Sequence, residues 1–381
     1  MMRVEVKPKL LRWARERARV SLPALAKTFP DIAEWEQGTA RPTLKQVERF
    51  ASVTHAPIGY LFLAEPPVER IPIPDFRTVE GEQPRRPSPE LLDTIYLCEQ
   101  RQEWYRDFAR SIGEVPLPFV GSVSPNSDVV DTAASMRHAL HFDVGERARA
   151  RDWAQTLSSY IGRADDLGIL VMCSGVVGSN NRRALDPDEF RGFAMADPMA
   201  PLVFINGADT KAAQMFTLAH ELAHVWLGQS ALSDAQAAFA PGQDVERWCN
   251  QVAVELLVPL EVFRTDYRCR AEVQGEARRL SRQFKVSTLV ILRRMHDAGG
   301  LSQARLWDEY RAELKRLLAF PRGGGGNFYL TQAARASRRF TRAVIVSALE
   351  GRSSFTDAFR LLGVKKMKTF EGLGRTVGAM L

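Results

Sequence analysis

The chain has little cysteine and places none of it in pairs. Cys98, Cys173, Cys249 and Cys269 are scattered through 381 residues with no C-x-x-C. That excludes a disulfide framework and a cysteine-built zinc finger, and it fits reduced thiols in a cytoplasmic setting. Long apolar runs are missing too. The start, Met1-Met2-Arg3-Val4-Glu5-Val6-Lys7, has no apolar segment of the signal-peptide kind, so no membrane partner is expected. Histidine is scarce, six in all. Charge is plentiful but uneven. Of a net +7, the segment after Pro321 carries eleven Lys and Arg against three Asp and Glu, which leaves the rest near neutral. With 45% apolar residues the length suits two or three domains with ample core.

Two of the six histidines stand in one stretch, His220-Glu221-Leu222-Ala223-His224. Residues four apart on a helix lie on one face, so both imidazoles can reach one metal ion. Glu221, beside the first His, sits where it can take a proton from a water on that metal, and is the candidate general base. The flanks read as a helix, with Asp209 as N-cap, a nearly breaker-free run from Lys211, and Gly228 as its stop. Phe216, Leu218, Leu222, Val225, Trp226 and Leu227 surround the histidines, so this helix is expected in the core. Upstream, Gly168–Val177 reads as a buried strand, and Phe190–Ala196 with Pro201–Asn206 as a hairpin leading into the helix. A sheet strand beside a metal helix can bind an extended peptide by strand addition.

A catalytic zinc takes three protein ligands and keeps one position open. The third is expected on the helix Asp244–Val258, ended by Pro259. Glu246 is first choice. It shares a face with Asn250, four residues on, which would then orient a ligand from behind. Asp244 and Glu255 are the alternatives, the first otherwise an N-cap, the second a surface or helix-pairing carboxylate.

Phe216-Thr217-Leu218-Ala219-His220-Glu221-Leu222-Ala223-His224 followed by Glu246-x-x-Cys249-Asn250-x-x-Ala253-x-Glu255-Leu256-Leu257-Val258-Pro259 resembles the ImmA/IrrE family of zinc metallopeptidases. The likeness covers about residues 160–300. It implies that His220, His224 and Glu246 hold Zn2+, with Glu221 as general base. It also implies a protein substrate, a repressor-like or antitoxin-like regulator in stress, phage or mobile-element responses. Trp248 departs from the family pattern, where an acidic or small residue is frequent, and would narrow the cleft.

Residues 1–65 divide into helical segments at Leu10–Arg19, Val20–Phe29, Pro30–Gly38 and Arg41–Ala51. The order Leu25-Ala26, Ile32, Trp35-Glu36, Gly38, Pro42-Thr43-Leu44, Phe50-Ala51 resembles the Cro/repressor-type (XRE) helix-turn-helix family. Its groove-facing positions hold Pro30, Asp31, Glu34 and Glu36. Carboxylates there oppose phosphate, so a degenerate docking module is as good a reading as DNA binding. Arg12, Arg15, Arg17 and Arg19 form the candidate phosphate-contacting face, or a solvated one.

Residues 66–160 read as a proline-rich connector, a loop at Gly81–Pro89, and helices beginning with Pro89–Ala109. His138 and His141 lack a fitting third ligand, and with His55 they read as structural, while His296 reads as incidental. Within the peptidase region 161–300, Glu272–Phe284 and Thr288–Met295 form a second helix-turn-helix-like pair, with Ser287 as cap and Arg293 and Arg294 as candidate DNA contacts. Residues 301–381 hold a helix at Trp307–Phe320, a hinge at Gly323–Gly326, and two basic amphipathic helices, Ser337–Gly351 and Phe355–Met367. Their apolar stripes fit docking on the core. Their basic faces fit nucleic acid, an acidic partner protein, or water alone.

The expected fold is α+β, a mainly helical multidomain chain. A zincin-like core with a small sheet follows a helix-turn-helix bundle and precedes a basic helical segment. Two functions are open. One is a zinc endopeptidase that cleaves a regulatory protein. The other is a DNA-binding transcriptional regulator or antitoxin that binds a partner toxin, with the peptidase core as sensor or scaffold.

Overall fold

Short helices form at the N-terminus where the sequence supplies starts and stops. α1 (Pro8–Arg17) has proline in its first turn, and α2 (Leu22–Ala26) follows Ser21. α3 (Ile32–Gln37) is closed by Gly38 at φ 78°, and α4 (Leu44–Thr54) opens on a reciprocal capping box between Thr43 and Gln46. Leu11, Trp13, Leu25, Phe29, Ile32, Trp35, Val47 and Phe50 close a core of their own. These helices belong to the first of two compact units, Met1–Pro72 with Arg85–Ile95; the second is Ile73–Pro84 with Tyr96–Leu381. The structure, a computed structural model, describes residues 2–75, 87–233, 244–318 and 328–380. Gly323–Gly326, read as a hinge, and the first part of the loop at 81–89 lie outside the described residues.

The first unit uses its arginines internally. Arg15 makes a two-point pair with Glu36, at 2.7 and 3.1 Å, and Arg17 is buried against Glu69, at 2.7 and 2.9 Å, and the His55 carbonyl. Arg15 and Arg17, placed with Arg12 and Arg19 on a candidate phosphate-contacting face, are thus held in two-point pairs inside the fold. Glu36 is buried under Arg15 and does not face a groove. Arg12 keeps more than half of its side chain in solvent, and Arg19 ends the first helix in a left-handed backbone at φ 53°.

α5 (Pro89–Ser111) belongs to the second unit from Tyr96 onward. α6 (Val129–Ala139), α7 (Val144–Arg149) and α8 (Trp153–Leu167) lead into β1 (Leu170–Ser174). β2 (Gly192–Met195) and β3 (Leu202–Asn206) form the expected antiparallel hairpin, with Phe193 opposite Phe204, and β1 runs parallel to β3. β4 (Ala231–Ser233) is too short for any periodicity to mark, and it adds antiparallel to β2. The strand order is β1-β3-β2-β4. Every residue of β2, β3 and β4 is buried, which is why the hairpin reads as continuous apolar runs.

α9 (Lys211–Leu227) lies along β2, β3 and β4, and α10 (Asp244–Leu257) packs between α9 and α6. Met136, Leu140 and Tyr160 therefore share one core with Leu218, Leu222, Trp226, Val252 and Leu256. α11 (Leu260–Asp266), α12 (Val273–Phe284), α13 (Thr288–Asp297) and α14 (Gln303–Leu318) follow. Ser287 caps α13 as expected. The DNA contact expected of the α12–α13 pair is not available to Arg294. It is buried and bonds Glu255 at 2.5 Å and the Val258 carbonyl at 2.7 Å, so it braces the core instead.

α15 (Phe328–Ala336), α16 (Arg338–Leu349), α17 (Phe355–Leu362) and α18 (Met367–Thr376) complete the unit, with α15 and α16 against β1. Arg339 ties α16 to Tyr105 at 2.6 Å and Glu114 at 2.9 Å, and buried Arg101 donates to the Leu361 carbonyl at 3.1 Å. At this joint Asp165 of α8 is buried and accepts from the Ser337 hydroxyl at 2.7 Å. Burial outweighs that bond and pushes its carboxyl from 3.8 up to about 7. The folded chain then keeps a proton that the unfolded chain has released between these values. Stability therefore falls as pH rises through that window and levels off above it, by at most ~4 kcal/mol. Thermal unfolding of Asp165→Asn across pH 4.5 to 8 should lose this slope; an unchanged slope would place its origin elsewhere.

Candidate metal centre

α9 starts one residue later than the sequence suggests. Thr210, not Asp209, is the N-cap, its hydroxyl accepting from the Ala213 N–H. The hydroxyl of Thr210 stands at the right register, while Asp209 pairs with Arg191 at 3.4 Å. Gly228 closes the helix in the left-handed conformation, at φ 67°. From Thr217 to Leu227 every residue is buried, so the two histidines enter a dry interior.

α10 brings Glu246 to them. Its carboxylate oxygens lie 3.2 Å from His220 Nε2 and 3.0 Å from His224 Nε2, and the two Nε2 atoms are 3.2 Å apart. Among the described residues this is the group of three or more His, Cys, Asp or Glu whose donor atoms gather within 4.8 Å. A tetrahedral zinc with ~2.05 Å bonds needs donors ~3.3 Å apart. Donor type, number and spacing therefore fit zinc. On the far side of the first ring, Asn250 Oδ1 stands 3.1 Å from His220 Nδ1. An Nδ1–H donated there leaves the Nε2 lone pair facing the cluster.

The alternatives for the third donor lie elsewhere. Asp244 is exposed and pairs with Arg247, and Glu255 is paired with buried Arg294. Trp248 is buried and bonded away from the three donor groups. Two residues from Glu246, it sits on the opposite face of α10, where its indole N–H donates to the Ser127 carbonyl at 2.9 Å. His138 and His141 stand with ring centroids 6.3 Å apart, outside the cluster, and His296 contacts the Leu301 carbonyl.

The electrostatics suit a cation. Burial would raise the Glu246 carboxyl, but His220 and His224 outweigh it and hold it well below the usual range. Burial lowers His224, while at His220 Glu246 overcomes burial and raises the imidazole. Glu221 is fully buried, which with the nearby Glu246 pushes its carboxyl up to about 8. Two carboxylates in a dry interior, facing imidazole nitrogens, form a place where a positive ion relieves the cost of burial.

Three features of the site escape sequence reading. Ser233 of β4 places its hydroxyl 3.5 Å from Glu221 Oε2 and 3.4 Å from His224 Nε2. The outer side of β4 is met by the chain itself, since the Leu232 N–H donates to the Pro74 carbonyl at 2.9 Å and Asp75 bridges Leu232 in parallel. Gly192 of β2 lies against α9. A Cβ there would stand 2.5 Å from Thr217 Cγ2, 2.8 Å from the Phe204 carbonyl oxygen and 3.2 Å from Glu221 Oε1. A lone glycine inside a strand pattern is the signal that could have marked this close approach. Gly192→Ala should push α9 from the sheet, lowering stability by about 1–3 kcal/mol and displacing Glu221. Denaturant unfolding checks it, and a variant as stable as the native chain would sink the argument.

Residues 336–376 match a family model described only as a domain of unknown function, DUF8813. No curated protein matches the chain. Residues 164–296 match the model described as an IrrE N-terminal-like domain, Peptidase M78. That segment spans all four strands, α9 and α10, so the convergence of His220, His224 and Glu246 falls inside it. Over these residues the chain is similar to the ImmA/IrrE peptidases, which supports a metallopeptidase-like function.

Proposed function

We propose that the chain is a zinc-dependent endopeptidase acting on a regulatory protein, with His220, His224 and Glu246 as the metal ligands. The convergence of their three donor groups at 3.0–3.2 Å carries this reading. Zinc held there would polarise a peptide carbonyl and acidify water. Glu221 takes a proton from the attacking water and returns it to the leaving amine. Asn250 fixes the His220 ring, and the Ser233 hydroxyl orients Glu221 by donating to its carboxylate. An extended substrate that pairs with β4 must take the Leu232 N–H from Pro74. The N-terminal helices, with Arg15 and Arg17 committed internally, act as a docking module in this reading. The test is cleavage of a mixed peptide library by the native chain and by Glu221→Gln, with bound metal measured on the same samples.

A further inference from the structure

Within the basic C-terminal segment, one small motif carries Arg360, Lys365, Lys366, Lys368 and Arg375. α17 ends at Gly363, in the left-handed conformation at φ 65°, and the Val364 N–H closes the turn onto the Phe359 carbonyl at 2.9 Å. Gly363 to Lys366 is the whole connection before α18 begins at Met367. Val364 is buried in the turn, and Phe370 of α18 packs on Phe355 and Phe359 with ring centroids 5.7 and 5.5 Å apart. Phe340, Val344, Leu361, Leu362 and Leu373 are buried beneath. α16 packs on both α17 and α18. Two short helices joined by a turn of four residues with a left-handed glycine, backed by a third helix, have the proportions of a helix-turn-helix.

The second helix of such a pair enters a groove by its N-terminal part, and here that part is cationic. Lys365, Lys366 and Lys368 are exposed around the start of α18. Arg375, seven residues after Lys368, returns to the same face and is also exposed. None of these four makes an ion pair among the described residues, whereas Arg352 and Arg360 are paired with Glu350 and Asp357. Gly372 lies on that face and lets the helix backbone come close to a surface. One carboxylate, Glu371, shares it. The positive end of the helix dipole points the same way as the lysines.

We infer that α17 and α18 form a DNA-binding helix-turn-helix, with α18 presented to the major groove of a duplex. The ligand is B-form DNA, because the major groove of an RNA duplex is too deep and narrow to admit a helix. The site lies apart from the metal centre and does not depend on the peptidase reading.

The experiment is fluorescence anisotropy of a labelled mixed-sequence DNA duplex of about 25 base pairs, titrated with the full chain at several salt concentrations. Four phosphate contacts predict affinity falling about 100-fold between about 50 and 200 mM salt. Replacing Lys365, Lys366, Lys368 and Arg375 by alanine should weaken binding at least about 10-fold and flatten the salt slope, with unchanged thermal unfolding. Glu371→Gln should tighten binding, a gain that misfolding cannot imitate. Three results would overturn the inference: no salt-dependent binding by the native chain, equal binding by the fourfold variant, or equal or tighter binding of polyglutamate or an RNA duplex.

Discussion

His220→Ala is expected to leave the protein without its metal. The native chain, purified without chelator, should carry about one zinc, and the variant well below about 0.1. The argument is geometric. Three donor groups that approach one another to 3.0–3.2 Å can share one ion, and removing one Nε2 leaves two of them and a hole in a buried site. Stability should fall with it, because Glu246 is fully buried and half of its imidazole contacts would be gone. Breaking a buried charged pair from one side costs about 3–5 kcal/mol. Metal analysis by plasma emission and denaturant unfolding read the two effects. A native chain that neither carries zinc nor takes it up on dialysis would end the metallopeptidase reading.

Glu221→Gln should separate metal from catalysis. Glutamine has the shape of glutamate and Glu221 is not among the three converging donors, so zinc content should be that of the native chain. Peptide cleavage should drop by about 10²–10⁴-fold, the usual contribution of a positioned general base. The Ser233 hydroxyl can donate to the glutamine carbonyl as it does to the carboxylate, so the side chain should stay in place. Mass-spectrometric product counts over time give the rates. A zinc-loaded Glu221→Gln that cleaves at the native rate would remove Glu221 from the mechanism. A zinc-loaded native chain that cleaves nothing would favour a scaffold role for this core.

The metal helix was legible in the sequence because its information is local. The spacing of His220 and His224 follows from the pitch of one helix, and the apolar residues around them announce burial without reference to any partner. The hairpin of β2 and β3 and the capping of α4 by Thr43 are local in the same sense. Short-range rules also reached Glu246 as first choice, since it shares a face with Asn250, but they could not dismiss Asp244 or Glu255 on the same helix.

That choice was made by contacts distant in the chain. Arg294 takes Glu255, Arg247 holds Asp244 at the surface, and α9 packs against α10 on the side that carries Glu246. Charge was misleading for the same reason. A sequence counts Arg15 and Arg17 as a basic face, while Glu36, twenty-one residues from Arg15, and Glu69, fifty-two from Arg17, consume them internally. β4, Ser233, Gly192 and the Pro74 carbonyl at Leu232 carry no periodic signal, because a three-residue strand, a hydroxyl and a missing Cβ act only through what stands opposite them. The sequence by itself determined that two imidazoles and a carboxylate stand together on the pitch of one buried helix. Tertiary packing decided which second carboxylate joins them, which arginines remain exposed, and what lies along the strand beside the site, since each depends on distances across the fold that no local pattern encodes.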